Sequence, residues 1–201
     1  MAVDLDRAFA EIDAAQADDP NTIVVRGTQQ PKEVGHAALA VEWVRQLRPD
    51  ASDALLLAAR AHHLRRWEVP RESQPPGRAG YLKWRTGLER HHADISGRVL
   101  ADLGVDADTI ARVQDIIRKR RLKSDPEVQV FEDALCLVFI ETQFAELAGK
   151  LEEHHMVDVV AKTLEKMTEA GRTAALSLPL DDEAVRLVGL ALARSSAAGQ
   201  A

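Results

Sequence analysis

Between its prolines and glycines, nearly every segment of this chain spaces apolar residues three, four and seven apart, as a helix face requires. Alternation of the strand kind is absent, so the expected fold class is all-α, a bundle of about seven or eight helices. The first helix is expected over roughly 5–17, with a loop at 18–31 (DDPNTIVVRGTQQP) and a second helix over 33–47. Asp50 or Ser52 can cap a third helix that ends near Trp67. The segment 68–80 (EVPRESQPPGRAG) holds three prolines and two glycines and cannot remain helical. Further helices are expected over 81–103 and 106–122. Ser124-Asp125-Pro126 then opens a long helix to about Leu151, followed by helices over 154–169 and 181–194.

The 201 residues suit one compact domain, read as 1–195 with a disordered tail at 196–201. One cysteine, Cys136, excludes an intramolecular disulfide and fits a reducing compartment. The N-terminus MAVDLDRAFAEIDAAQ lacks the basic start and apolar run of a signal peptide, and no stretch approaches a membrane span. A cytoplasmic protein is expected. The net charge of −6 argues against a whole-molecule nucleic-acid binder.

Four side chains then stand out. His36 shares a helix face with Leu39, Ala40 and Trp43; His63 lines up with Leu56, Ala59 and Trp67; His92 falls on the stripe Leu88, Ile95, Val99. Asp133 lies among Val130, Cys136, Leu137 and Ile140. A buried carboxylate needs a partner or a metal. Three imidazoles and one carboxylate oxygen suit a divalent transition metal such as Zn, Fe, Mn or Co, and helical bundles build such sites from facing helices. Each residue also has a plainer reading, as a hydrogen-bonded core histidine or an aspartate paired across the core. His62 and His91, turned about 100° from their neighbours, read as boundary residues that could still support or complete a second ion. His154-His155 reads as surface or capping.

His36, then His62-His63, then Asp133 resembles the H…HD…D order of the HD superfamily of metal-dependent phosphohydrolases. The resemblance implies an HD-like helical domain with a metal centre. This chain departs from it, reading His-His-Leu where His-Asp stands in the family. Two registers remain: His62 as the family histidine with His63 in the aspartate's place, or His63 as the histidine with the aspartate missing. The segments HHLRRWEVPR, GYLKWR, HHADISGRVL, FEDALCLVFIETQF and KTLEKM resemble more closely a family of bacterial and fungal proteins of about this length, catalogued as a domain of unknown function. That resemblance covers about residues 4–180 and implies no activity.

Arg65, Arg66, Arg71, Arg78, Lys83 and Arg85 surround Trp67 and Trp84 across the proline-rich segment. Guanidinium forks suit phosphate or carboxylate, so Arg66, Trp67, Arg71, Lys83 and Arg85 are the candidate substrate-binding residues. The leading expectation is a metal-dependent hydrolase of a small anionic, phosphorylated substrate, with Arg66 and Glu132 as catalytic groups and Glu141 as the other candidate base. An iron-dependent oxygenase of the HD type is the second reading. The third is a polyanion- or nucleic-acid-binding module using the basic segment Arg118–Lys123, although cations there also complement a helix C-terminus. No organic cofactor is indicated: there is no glycine-rich phosphate loop and no G-x-S-x-G, and Cys136 reads as a core residue. A homodimer is compatible with the pattern.

Overall fold

The computed structural model describes residues 3–198, with side chains as far as 193. Helices dominate, as the periodicity requires. Among the described residues there are ten α-helices, more than expected, and one two-stranded sheet. The chain divides into two compact units, 1–131 and 132–201.

In the first unit α1 spans Leu5–Ala14, with the Asp4 carboxylate accepting from the Arg7 N–H at its start. A hairpin follows where a loop was expected: β1 (Thr22–Val25) pairs antiparallel with β2 (Thr28–Pro31). Its turn is Arg26-Gly27, both with positive φ (48° and 86°), the conformation that matches the twist of a two-residue hairpin. α2 (Lys32–Leu47) leaves the hairpin directly. The two approach closely at Gly35, where a Cβ would lie 3.0 Å from Ile23 Cγ2 and 3.1 Å from Val25 Cγ2.

α3 spans Asp53–Ala61, starting at the Ser52 cap. It buries Ala54 to Ala59 and Ala61, so it is apolar nearly all round and packs against α1, α2 and α5 as the central helix. The helix stops short of the expected Trp67 because Arg65 adopts a left-handed conformation (φ 54°), which an α-helix cannot continue through. Single 3-10 turns at Arg66–Glu68 and Arg71–Ser73 lead to α4 (Arg78–Asp102). α5 (Ala107–Ile117) packs on α3 and α4. Ile12, Leu39, Leu55, Leu57, Leu64, Leu100, Ile116 and Phe131 are the large, fully buried side chains of this unit.

α6 (Pro126–Thr142) crosses into the second unit. Its expected run to Leu151 is broken at Gln143, after which α7 spans Phe144–Ala148. α8 (Glu153–Leu164), α9 (Glu169–Leu176) and α10 (Asp182–Ala198) follow. The helix expected over 154–169 ends five residues early, because Thr168 caps a separate helix, accepting from the Gly171 N–H. α8 and α10 pack together around Met156, Val160, Leu164 and Leu187. Of the expected tail, 196–198 continue α10 and 199–201 lie outside the described residues. No helix among the described residues is long and apolar enough to cross a membrane.

Candidate metal centre

Three places in the first unit supply the site. The first turn of α2 carries Glu33 and His36, three apart and therefore on one face. The turn after α3 carries His62 and His63, and the middle of α4 carries His91 and His92.

The turn after α3 is held by side chains that take its orphan carbonyls. His62 Nδ1 lies 2.8 Å from the Ala59 carbonyl oxygen, His92 Nδ1 3.1 Å from that of Leu64, and His91 Nε2 3.3 Å from that of Arg65. The Ser96 hydroxyl donates to the His92 carbonyl at 2.6 Å. A carbonyl oxygen can only accept, so each facing ring nitrogen carries the proton. His92 Nε2 is thereby left as a lone pair. It is buried and has no hydrogen-bond partner among the described residues, a costly arrangement for a group of this kind.

Glu33 joins the segments. Its Oε2 lies 3.0 Å from His63 Nδ1 and 3.4 Å from His36 Nδ1. Ligand atoms of the three residues all lie within 4.8 Å of one another. Two ligands held about 2.0–2.2 Å from one ion at tetrahedral or octahedral angles sit about 3.0–3.5 Å apart, the range of the two spacings from Glu33 Oε2. One carboxylate and two imidazoles form the mixed oxygen and nitrogen donor set of Zn, Mn, Fe or Co. The His92 ring stands beside this trio, with its centroid 5.5 Å from that of His63.

The electrostatics favour the ligand protonation states. Burial opposes ionisation of Glu33, but His63 and the hydrogen bonds from both histidines outweigh it and hold the carboxyl far below its usual range. Burial pushes His63 down against the pull of Glu33, and pushes His62 well below the usual imidazole range. His92 is pushed down to about 3, again mainly by burial. A neutral imidazole at His63 and an ionised carboxylate at Glu33 are what a metal ion requires.

The structure therefore gathers three of the histidines singled out in the sequence, His36 and His63 in the trio and His92 next to it. Glu33 had escaped notice. Its signal was the Glu-x-x-His spacing of Glu33 and His36, the pattern that carboxylate-bridged metal sites use on bundle helices. His62, read as a boundary residue, is 4% exposed. Asp133 belongs to the second unit, where its carboxylate accepts from the Thr168 N–H at 3.0 Å and from the Thr168 hydroxyl. Glu132 is in the same unit, buried, with Lys166 Nζ 4.0 Å from its Oε1.

The cationic residues separate into distinct roles. Arg71 donates to the carbonyls of Gln74, Pro75 and Gly77 and so closes the proline-rich loop on itself. Arg66 lies over the Trp84 ring at 5.1 Å, and Trp84 is fixed by its own Nε1–H donating to the Val69 carbonyl at 2.9 Å. Trp67 is half-buried; Lys83 and Arg85 are exposed on α4, and Arg85 lies 5.9 Å over Tyr81. Burial lowers the Arg66 guanidinium, Glu33 opposes that effect and Arg85 adds to it. In the basic segment, Arg118 pairs with Asp94, Arg120 with Asp115 and Arg121 with Asp125.

Residues 6–188 match the model of a family described as Domain of unknown function (DUF4202). No curated protein and no solved structure matches the chain.

Proposed function

We propose a function for this chain, which belongs to the DUF4202 family, from the side chains gathered at the start of α2: a metal-dependent hydrolase of a small anionic, phosphorylated substrate. The observation that carries the reading is the convergence of Glu33, His36 and His63, one ligand atom of each lying within 4.8 Å of the others. In this reading Glu33, His36 and His63 hold one divalent transition metal ion. The ion, when bound, supplies Lewis acidity, activating a water and polarising a phosphoryl oxygen. His92 keeps Nδ1–H on the Leu64 carbonyl, so its Nε2 is the lone pair able to complete the ligand set or accept a proton beside it. Arg66 gives the anionic group a fixed positive charge.

The likeness to HD phosphohydrolases enters here as support for the chemistry. Both centres draw histidines from successive helices. The carboxylate that this chain lacks after its second histidine motif is supplied in this reading by Glu33, from the same helix as His36. A chain with a single cysteine suits a reducing, cytoplasmic setting.

The test is metal content and absorption spectrum of protein prepared without chelator, for wild type, Glu33→Gln and His63→Ala. Near-stoichiometric metal that both substitutions abolish is the expected result, followed by turnover of phosphate esters with that metal. Folded wild type that takes up none of Mn, Fe, Co or Zn would overturn the reading.

A further inference from the structure

Arg66 is a half-buried guanidinium to which no hydrogen-bond acceptor and no carboxylate is matched among the described residues. The chain carries 32 acidic residues, and most of the other partly buried arginines of this unit use them: Arg60 with Asp13, Arg112 with Asp125 and Glu127, Arg118 with Asp94. Arg66 instead lies over the Trp84 ring, with Cζ 5.1 Å from the centroid, a contact that uses none of its N–H groups. Arg85, one residue along α4 from that tryptophan, likewise has no carboxylate partner among the described residues and lies over the Tyr81 ring. The two guanidiniums lie over neighbouring rings, Trp84 and Tyr81, whose centroids are 6.1 Å apart, and two cations so placed make a site that gains when an anion arrives. The backbone N–H of Arg66 also donates to the His63 carbonyl at 3.0 Å, so the anion would be delivered next to the Glu33–His36–His63 trio.

We propose that Arg66, laid on Trp84 and assisted by Arg85, is the binding site for the dianionic phosphoryl end of a phosphate monoester. Three oxygens and two charges match two forked donors, whereas a single carboxylate would satisfy one of them. The proposal deepens the hydrolase reading by naming its substrate class, and it rests on that reading for the use made of the bound group. Its test does not.

Inorganic phosphate is titrated calorimetrically into the full chain, metal-loaded and after chelation, for wild type, Arg66→Gln, Arg66→Lys and Arg98→Gln. Arg98 is an exposed arginine on α4, and its removal lowers the net charge equally. Wild type is expected to bind phosphate in both forms. Arg66→Gln should weaken binding at least about tenfold, with Arg66→Lys intermediate and Arg98→Gln unchanged. Acetate should compete poorly. Metal content should not differ among the four proteins, and equal melting temperatures exclude a folding defect. Equal losses in Arg66→Gln and Arg98→Gln would overturn the site. So would phosphate binding that disappears on chelation and is indifferent to Arg66, which would leave the metal centre standing alone. Wild type that takes up no metal from solution yet binds phosphate through Arg66 would keep this site and remove the hydrolase reading.

Discussion

At the scale of single residues, Glu33 is the group on which the centre depends. Glu33→Gln keeps the shape and one acceptor oxygen but removes the charge. Metal affinity is expected to fall at least about tenfold, measured by competition with a chromophoric chelator. His91→Ala supplies the contrast. Its ring serves the Arg65 carbonyl from a partly exposed position, so metal affinity should stay within about twofold of wild type. An equal loss in both variants would mean that the trio is only a hydrogen-bonded network. His36 and His63 were legible because apolar neighbours at helical spacing mark an inward face. Glu33 was not, because an acidic residue in the first turn of a helix is fully explained by the helix dipole. Asp133 read as a ligand candidate because a buried carboxylate demands a partner. It accepts from the N–H and hydroxyl of Thr168, 35 residues away, which no local pattern reveals.

At the scale of elements, α2 owes its start to a distant residue. Pro31 precedes it without a side-chain cap, and the Glu33 N–H is taken by the buried Asp19 carboxylate at 3.1 Å. The other oxygen of Asp19 accepts from the Asn21 N–H and Nδ2, each at 2.9 Å. Asp19→Ala should cost about 0.5–2 kcal/mol in urea unfolding, as loss of a helix cap does, and should also weaken metal binding by loosening Glu33. Unchanged metal affinity in a destabilised variant would show that Glu33 is placed without help from Asp19. A second junction joins α5 to α6, where Arg112 forks onto Asp125 and reaches Glu127, while Glu127 accepts from the Ser52 N–H. The hydrogen bond from Arg112 holds Asp125 down at about 2. A depressed carboxylate contributes stability above its ordinary value, and that contribution is lost as pH falls from about 4 towards 2. Asp125→Asn should therefore be less stable than wild type at neutral pH, with the gap closing on acidification. A gap independent of pH would remove the ion pair as its cause. Helical periodicity was enough to find most of the helices. The hairpin escaped because its strands are four residues each and its turn is Arg-Gly, so the chain there offers neither a long alternation nor a familiar turn pair. The end of α3 escaped because the left-handed step falls on Arg65, a residue type that ordinarily continues a helix.

At the scale of the molecule, the centre ties together positions 33–36, 63 and 92, each separated from the next by roughly a quarter of the first unit. An unfolded chain cannot present these groups together, so an ion held by them binds the native state and leaves the unfolded one behind. Such binding stabilises by a margin that grows with ligand concentration, about 2.7 kcal/mol at a hundred times the dissociation constant. For a unit of this size that corresponds to a rise of several degrees in melting temperature. Chelation should lower the wild-type melting temperature by that amount, and re-addition of the native metal should restore it. Glu33→Gln should keep at most about half of that shift at the same metal concentration. The protection should be traceable by hydrogen exchange to the first turn of α2 and the turn after α3, since those are the segments the ion would join. A metal-dependent shift that persists undiminished in Glu33→Gln would place the stabilising ion elsewhere, with the exposed group Glu152, His154 and His155 as the next place to look.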